Sequence, residues 1–204
     1  MQPLTFYTVT PSRGTNVRWM LEECGATYNI VNLDWNGTLK TPDYLAVNPM
    51  GKVPALRHGD SVITETAAIL TYLAELFPER RLIPPAATPE RGQYYRWLMF
   101  ATHMEYAVLN RWLGMETTEA YRRSCGYGDF DTALNTLTDF LKDRDYAVGK
   151  QFSTLDIFLS GLIAWGISRT KTLPAEGVLA DYMQRHIKRP AFARVQAQES
   201  APQT

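Results

Sequence analysis

The run Asn48-Pro49-Met50-Gly51-Lys52-Val53-Pro54-Ala55-Leu56 constrains this chain more than any other. Proline has no N–H to give to a ladder, so Val53-Pro54 keeps a β-type run from starting before Ala55. X-Pro bonds are also the ones that adopt the cis form, and a cis Val53-Pro54 bond is expected. A strand that begins late leaves the N–H and C=O of Val53 without partners. A peptide-like ligand could lie antiparallel along that edge, which is recognition by strand addition. Nine residues past Leu56, Glu65-Thr66 sets an acid and a hydroxyl at the head of an amphipathic run.

The flanking patterns alternate. Residues 4–9 form a short β-type run, and 13–24 read as a helix with an apolar stripe of Val17, Met20, Leu21 and Cys24. Gly25 stops that helix, and 28–31 is a second strand, which completes a β-α-β unit. Thr41-Pro42 reads as an N-cap with proline at the first helical position, so a brief helix covers 42–47. Runs 55–57 and 62–64 flank Gly59-Asp60, a hairpin signal, and a helix follows over 66–77 with Ile69, Leu70, Leu73, Leu76 and Phe77 inward. This order matches a thioredoxin-like domain.

After Pro78 the composition changes. Residues 79–87, with Pro84-Pro85, read as a linker, and Thr88-Pro89-Glu90 opens a long aromatic-rich helix through Trp97, Phe100 and Tyr106. Ser153 and Asp156 form a capping pair before a helix that is apolar nearly all round and hence central to its domain. The expected fold is α+β: a thioredoxin-like domain over 1–80 and an all-α domain over 88–204.

Charge removes several function classes. Formal net charge is zero and the pI is 6.8, with basic residues in pairs such as Lys188-Arg189, so no footprint for nucleic acid exists. The most apolar run, 157–167, is too short to cross a bilayer, and Met1-Gln2-Pro3-Leu4 carries no charged leader; a cytoplasmic protein without membrane contact is expected. Two cysteines without a CxxC argue against dithiol chemistry by the protein's own thiols. His58, His103 and His186 are scattered without metal-ligand spacing, so no metal is expected.

The order of these motifs, from Leu4 to about Phe192, resembles the cytosolic glutathione transferases, and bacterial members of the serine/threonine type in particular. The resemblance implies a homodimer with glutathione in the cleft between two domains. It implies an enzyme that conjugates the thiolate of glutathione, as co-substrate, to small hydrophobic electrophiles, a detoxification chemistry. Val53 and Pro54 would align the peptide, Thr66 would take the γ-glutamyl carboxylate, and Glu65 would face the ammonium. Lys52, with Lys40 as a second candidate, would pair with the glycyl carboxylate. Gly149, Ser153 and Asp156 match a structural signature of the family and stand outside the active site.

The segment Thr10-Pro11-Ser12-Arg13-Gly14-Thr15-Asn16 decides the chemistry, because the bound thiol would lie at the start of the first helix. Three hydroxyls compete. Ser12 comes first, since serine-type members place theirs in this loop. Thr10 follows, because Thr-Pro there resembles members that reduce disulfides with glutathione. Tyr7 fits the tyrosine-type pattern when the segment is aligned back from Arg18-Trp19 without gaps. Capping of the first helix is the ordinary role for Ser12, and the two roles are compatible. Cys24 belongs to the core stripe. Tyr106 and His103, with Arg111 and Trp112, are candidates to wall the electrophile pocket, although ordinary packing also accounts for each. Two rivals remain: glutathione-dependent disulfide or peroxide reduction without a protein cysteine, and a non-catalytic binding module that keeps the fold.

Overall fold

In the computed structural model, which describes residues 2–201, the chain forms two compact units. The first takes the chain up to Arg81 and again from Arg189 onward; the second runs from Leu82 to Lys188.

The first unit holds a four-stranded sheet. Strands β1 (Leu4–Thr8), β2 (Tyr28–Asn32), β3 (Ala55–His58) and β4 (Ser61–Thr64) lie in the order β2-β1-β3-β4. β1 is parallel to β2, as a β-α-β connection requires, while β3 runs antiparallel to β1 and β4. Helices α1 (Gly14–Cys24), α2 (Pro42–Val47) and α3 (Thr66–Leu76) supply the covering layers. Alternation sorts the strand residues. Phe6 stands opposite Leu56 and both are fully buried, as are Val17, Met20 and Leu21 of α1 and Ile69, Leu70 and Leu73 of α3. On the other face Tyr7 and Ala55 join Val9, Leu39 and Tyr44 in a second cluster.

Of two local expectations at helix ends, one holds and one does not. Gly25 ends α1 in the left-handed conformation as expected, with φ 64°. Thr41, by contrast, does not cap α2 with its hydroxyl, which donates instead to the Thr38 carbonyl at 2.9 Å.

The sequence division into 1–80 and 88–204 differs from these units at both ends. Leu82 falls in the stretch read as linker, yet it is buried in the second unit and its carbonyl accepts the Thr154 N–H at 2.8 Å. Helix α9 (Pro190–Ser200) returns to the first unit and packs against α1. Arg189 grips Glu23 with two hydrogen bonds of 2.6 and 2.9 Å, and Arg194 and Gln198 take the two oxygens of Glu22 at 2.6 and 2.8 Å. Phe192 lies 4.7 Å from Trp19, centroid to centroid, and Val195 is fully buried. Helical periodicity shows that 190–200 is amphipathic but not which partner its apolar side will meet.

The second unit is helical: α4 (Pro89–Trp112), α5 (Glu119–Ser124), α6 (Phe130–Leu141), α7 (Thr154–Ser168) and α8 (Val178–Ile187). α7 packs against α4 and α8, consistent with its apolar circumference. Asp156 is fully buried there and accepts hydrogen bonds from the Ala147 N–H (2.8 Å), the Ser153 N–H (2.7 Å), the Ser153 hydroxyl (2.8 Å) and the Tyr182 hydroxyl. Burial, reinforced by the Asp156 charge and hydrogen bond, pushes the Tyr182 phenol well above its ordinary range, so it stays a donor. Among the described residues no helix is long and apolar enough to cross a membrane.

Removing the Asp156 carboxylate strands several buried donors at about 1–3 kcal/mol each. Asp156→Ala is therefore expected to lower unfolding stability by about 3 kcal/mol or more in urea denaturation, and Asp156→Asn by less.

Candidate functional site

Register brings three loops together. Ala55, the first residue of β3, pairs with Tyr7 near the end of β1 on one side and with Thr64, the last residue of β4, on the other. The segments after Thr8, before Ala55 and after Thr64 therefore leave the sheet at the same end. These are the stretches that carry Thr10 and Ser12, Lys52 to Pro54, and Glu65 with Thr66.

The loop before β3 is organised by Asn48. Its side-chain oxygen accepts the Met50 N–H at 3.1 Å, its main-chain carbonyl accepts the Gly51 N–H at 2.8 Å, and its amide donates to the Lys52 carbonyl at 2.8 Å. The Tyr44 hydroxyl donates to the same carbonyl at 2.6 Å. Burial holds the Tyr44 phenol up at about 12, which keeps that proton in place. Gly51 has φ 57°, and a Cβ there would fall 2.6 Å from the Leu39 carbonyl oxygen, so glycine is required. The Val53–Pro54 bond is cis, as expected. With Lys52 held from behind and β3 starting at Ala55, the N–H and C=O of Val53 have no partner among the described residues. The Lys52 side chain is exposed and also has no partner among the described residues, whereas Lys40 donates to the Met50 carbonyl at 2.9 Å and ties the loop down.

At the β4–α3 junction Glu65 takes φ 65° and ψ 119°, a conformation that costs a residue with a Cβ about 1–3 kcal/mol. Its exposed carboxylate meets no hydrogen-bond or ion-pair partner among the described residues that would offset this cost. Thr66 is buried with its hydroxyl at the mouth of α3, where no side chain caps the helix and no acid occupies the first turn. The dipole and the free N–H groups there favour an anion.

In the third loop Gly14 opens α1. A Cβ on it would lie 2.0 Å from the Thr8 hydroxyl oxygen, so the chain can pass only as glycine. The Gly14 N–H donates to Ser12 Oγ at 2.9 Å and the Thr15 N–H to the Ser12 carbonyl at 3.2 Å. Ser12 thus accepts at its hydroxyl oxygen, while its hydroxyl proton has no acceptor among the described residues. Thr10 is half-buried and its hydroxyl has no partner there either; the Thr10–Pro11 bond is cis, which was not anticipated. Tyr7, the third hydroxyl, is on β1 and not in this loop. Its ring is buried against Tyr44, 5.8 Å between centroids, with the Arg57 guanidinium 5.7 Å from its centre. Cys24 is buried, which pushes its thiol up to about 12.

The profile of the glutathione S-transferase N-terminal domain matches residues 2–75. Over 180 residues the chain is 31% identical to the glutathione S-transferase GstA of Escherichia coli O157:H7, spanning 83% of this chain and 86% of the other. The chain belongs to the glutathione S-transferase family. Among solved members, a glutathione transferase from Methylococcus capsulatus is 30% identical with a TM-score of 0.80, covering 96% of this chain and 98% of its own. A sphingomonad glutathione S-transferase complexed with glutathione is 25% identical with a TM-score of 0.77, over the same shares of the two chains.

The remaining candidates from the sequence lie on α4 of the second unit. Tyr106 is 62% exposed, and His103, one turn earlier, is exposed with its ring against Gly126. Trp112 contacts Trp165 edge-on at 6.4 Å, and Arg111 lies 3.8 Å from Asp131 and 5.0 Å over the Phe130 ring, so both already have structural partners. Tyr44 and Asn48 were missed from the sequence. Asn-Pro-x-Gly is an Asx-turn signal that could have located Asn48, whereas nothing local marks Tyr44.

Glycine at position 65 would relieve the positive φ at the expense of chain entropy. Glu65→Gly is expected to raise stability by about 0.5–1 kcal/mol in ligand-free urea denaturation.

Proposed function

We propose that this chain binds glutathione across the three loops and transfers its thiolate to small hydrophobic electrophiles. The observation that carries the reading is that the same end of the sheet leaves unpartnered groups of the kinds the tripeptide needs. Val53 offers a free N–H and C=O for the cysteinyl backbone beside Pro54. The mouth of α3 with the Thr66 hydroxyl offers an anion site for the γ-glutamyl carboxylate, and Glu65 stands ready for the ammonium. Lys52, with Lys40 behind it, offers positive charge for the glycyl carboxylate.

Catalysis then needs little beyond a thiolate. A free thiol has pKa about 8.5 and is mostly protonated at neutral pH. A hydrogen bond to a charged group is worth about 1.5–3 kcal/mol, or about one to two pKa units. The α1 dipole adds about 0.3–1 kcal/mol. Ser12 is the proposed donor, which makes this a serine-type enzyme. Its oxygen is already engaged by the Gly14 N–H, which leaves the hydroxyl proton to point at sulfur. Thr10 is the second candidate and Tyr7, packed in its cluster, the third. The sulfur forms the new C–S bond as the leaving group departs with its electron pair. Tyr106 and His103 are proposed to contact the electrophile, and the active form is proposed to be a cytoplasmic homodimer.

The free Thr10 hydroxyl favours a second reading, reduction of disulfides or peroxides by two glutathiones. Turnover of a disulfide substrate well above conjugation of a chlorinated aromatic would select it.

Titration calorimetry with glutathione is expected to show saturable binding. No heat at millimolar ligand would leave only a binding module of the same fold. Ser12→Ala is expected to raise the pKa of the bound thiol by about one to two units, followed by ultraviolet thiolate absorbance, with kcat/KM at neutral pH about 10- to 100-fold lower. Asn48→Ala loses two hydrogen bonds behind Val53 and is expected to weaken glutathione binding about tenfold while leaving the thiol pKa in place.

A further inference from the structure

The C-terminal helix reaches the loop that carries Ser12. Glu199, in the last turn of α9, accepts the Thr15 hydroxyl with both carboxylate oxygens at 3.0 Å, and Arg18 Nε lies 3.6 Å from one of them. The side chains of Arg18 and Glu199 are only 8% and 17% exposed. Thr15 occupies the first turn of α1, and its own N–H holds the Ser12 carbonyl while the neighbouring Gly14 N–H holds Ser12 Oγ. Two successive N–H groups thus fix both oxygens of Ser12. The residue bearing the second is anchored by the far end of the chain.

This contact is separate from the others that join α9 to α1. The helices run antiparallel, and Glu22, Glu23 and Trp19 already secure α9 along the second half of α1 through Arg189, Arg194, Gln198 and Phe192. Glu199 ties down the opposite end, the turn that Ser12 leans on, and α1 has no acidic residue of its own there.

We propose that Glu199 and Thr15 are a positioning pair, through which the last turn of α9 holds the Ser12 hydroxyl in place for the sulfur of bound glutathione. The proposal rests on the reading of Ser12 as thiolate donor. Neither residue touches the substrate; both act through the first turn of α1.

The test is the thiol pKa of bound glutathione, read by ultraviolet thiolate absorbance in the full chain. Thr15→Val keeps the shape and removes the hydroxyl, and is expected to raise that pKa by about half to one unit, with the glutathione Kd changed by less than about twofold. Thr15→Ser is expected to restore the original value. In the Ser12→Ala background Thr15→Val is expected to add nothing, since the group it positions is gone. No rise on Thr15→Val, or the same rise with and without Ser12, overturns the positioning role alone. A Ser12→Ala protein whose thiol pKa is unchanged overturns the Ser12 reading and this inference together. If Thr15→Val is too unstable to titrate, Glu199→Ala is read from the other side. Its effect on the pKa must be present with Ser12 and absent without it; a null effect, or one that survives Ser12→Ala, counts against the proposal.

Discussion

Ala55 is paired on both sides, to Tyr7 and to Thr64, and the geometry of the site follows from that register. Because β3 cannot start before Ala55, the ladder ends where Pro54 stands. The chain before that point leaves the sheet in company with the loop after β1 and the turn into α3. A slip of one residue would turn Tyr7 and Ala55 out of their cluster and swing Val53 to the other face. The fully buried Phe6 and Leu56 on one face, and Ala55 on the other, oppose such a slip by burial alone.

What the site leaves undone is as informative as what it builds. In the second unit the helices α4, α5 and α6 are capped by the side chains of Thr88, Thr118 and Asp129. A cap of this kind is worth about 1 kcal/mol. At α3 the equivalent position is Glu65, at a positive φ with an extended ψ and without a capping hydrogen bond. The loop before β3 shows the converse. Lys52 is held by two donors to one carbonyl, directly before a Val53 whose N–H and C=O have no partner among the described residues. Helices α1, α2, α8 and α9 also lack a side-chain cap, so what sets the mouth of α3 apart is the strained Glu65 beside it, at the same end of the sheet as Val53.

Much of this was legible because the signals are local. Val53-Pro54, Gly25, Gly59-Asp60 and Thr66 at the head of an apolar stripe each act over a few residues, and each lies in the structure where its chemistry demands. The capping pair Ser153 and Asp156 was equally plain, but its extent was not. The Tyr182 hydroxyl and the Ala147 N–H come from distant sequence to share the same carboxylate. The partner of α9 was illegible for a similar reason. Glu22-Glu23 and Arg189 with Arg194 are complementary, yet no periodicity says that two helices so far apart in sequence will pair. The packing of Tyr7 was ambiguous because a strand residue can face either side of the sheet, and only the second apolar cluster shows that its ring lies with Tyr44.

The most direct measurement is a crystal structure of the chain with glutathione bound. The account predicts the cysteinyl N–H and C=O in antiparallel hydrogen bonds to Val53, the γ-glutamyl carboxylate at the mouth of α3, and the sulfur within hydrogen-bond reach of Ser12 Oγ. A tripeptide seated elsewhere, or a sulfur whose nearest donor is neither Ser12 nor Thr10, would contradict it.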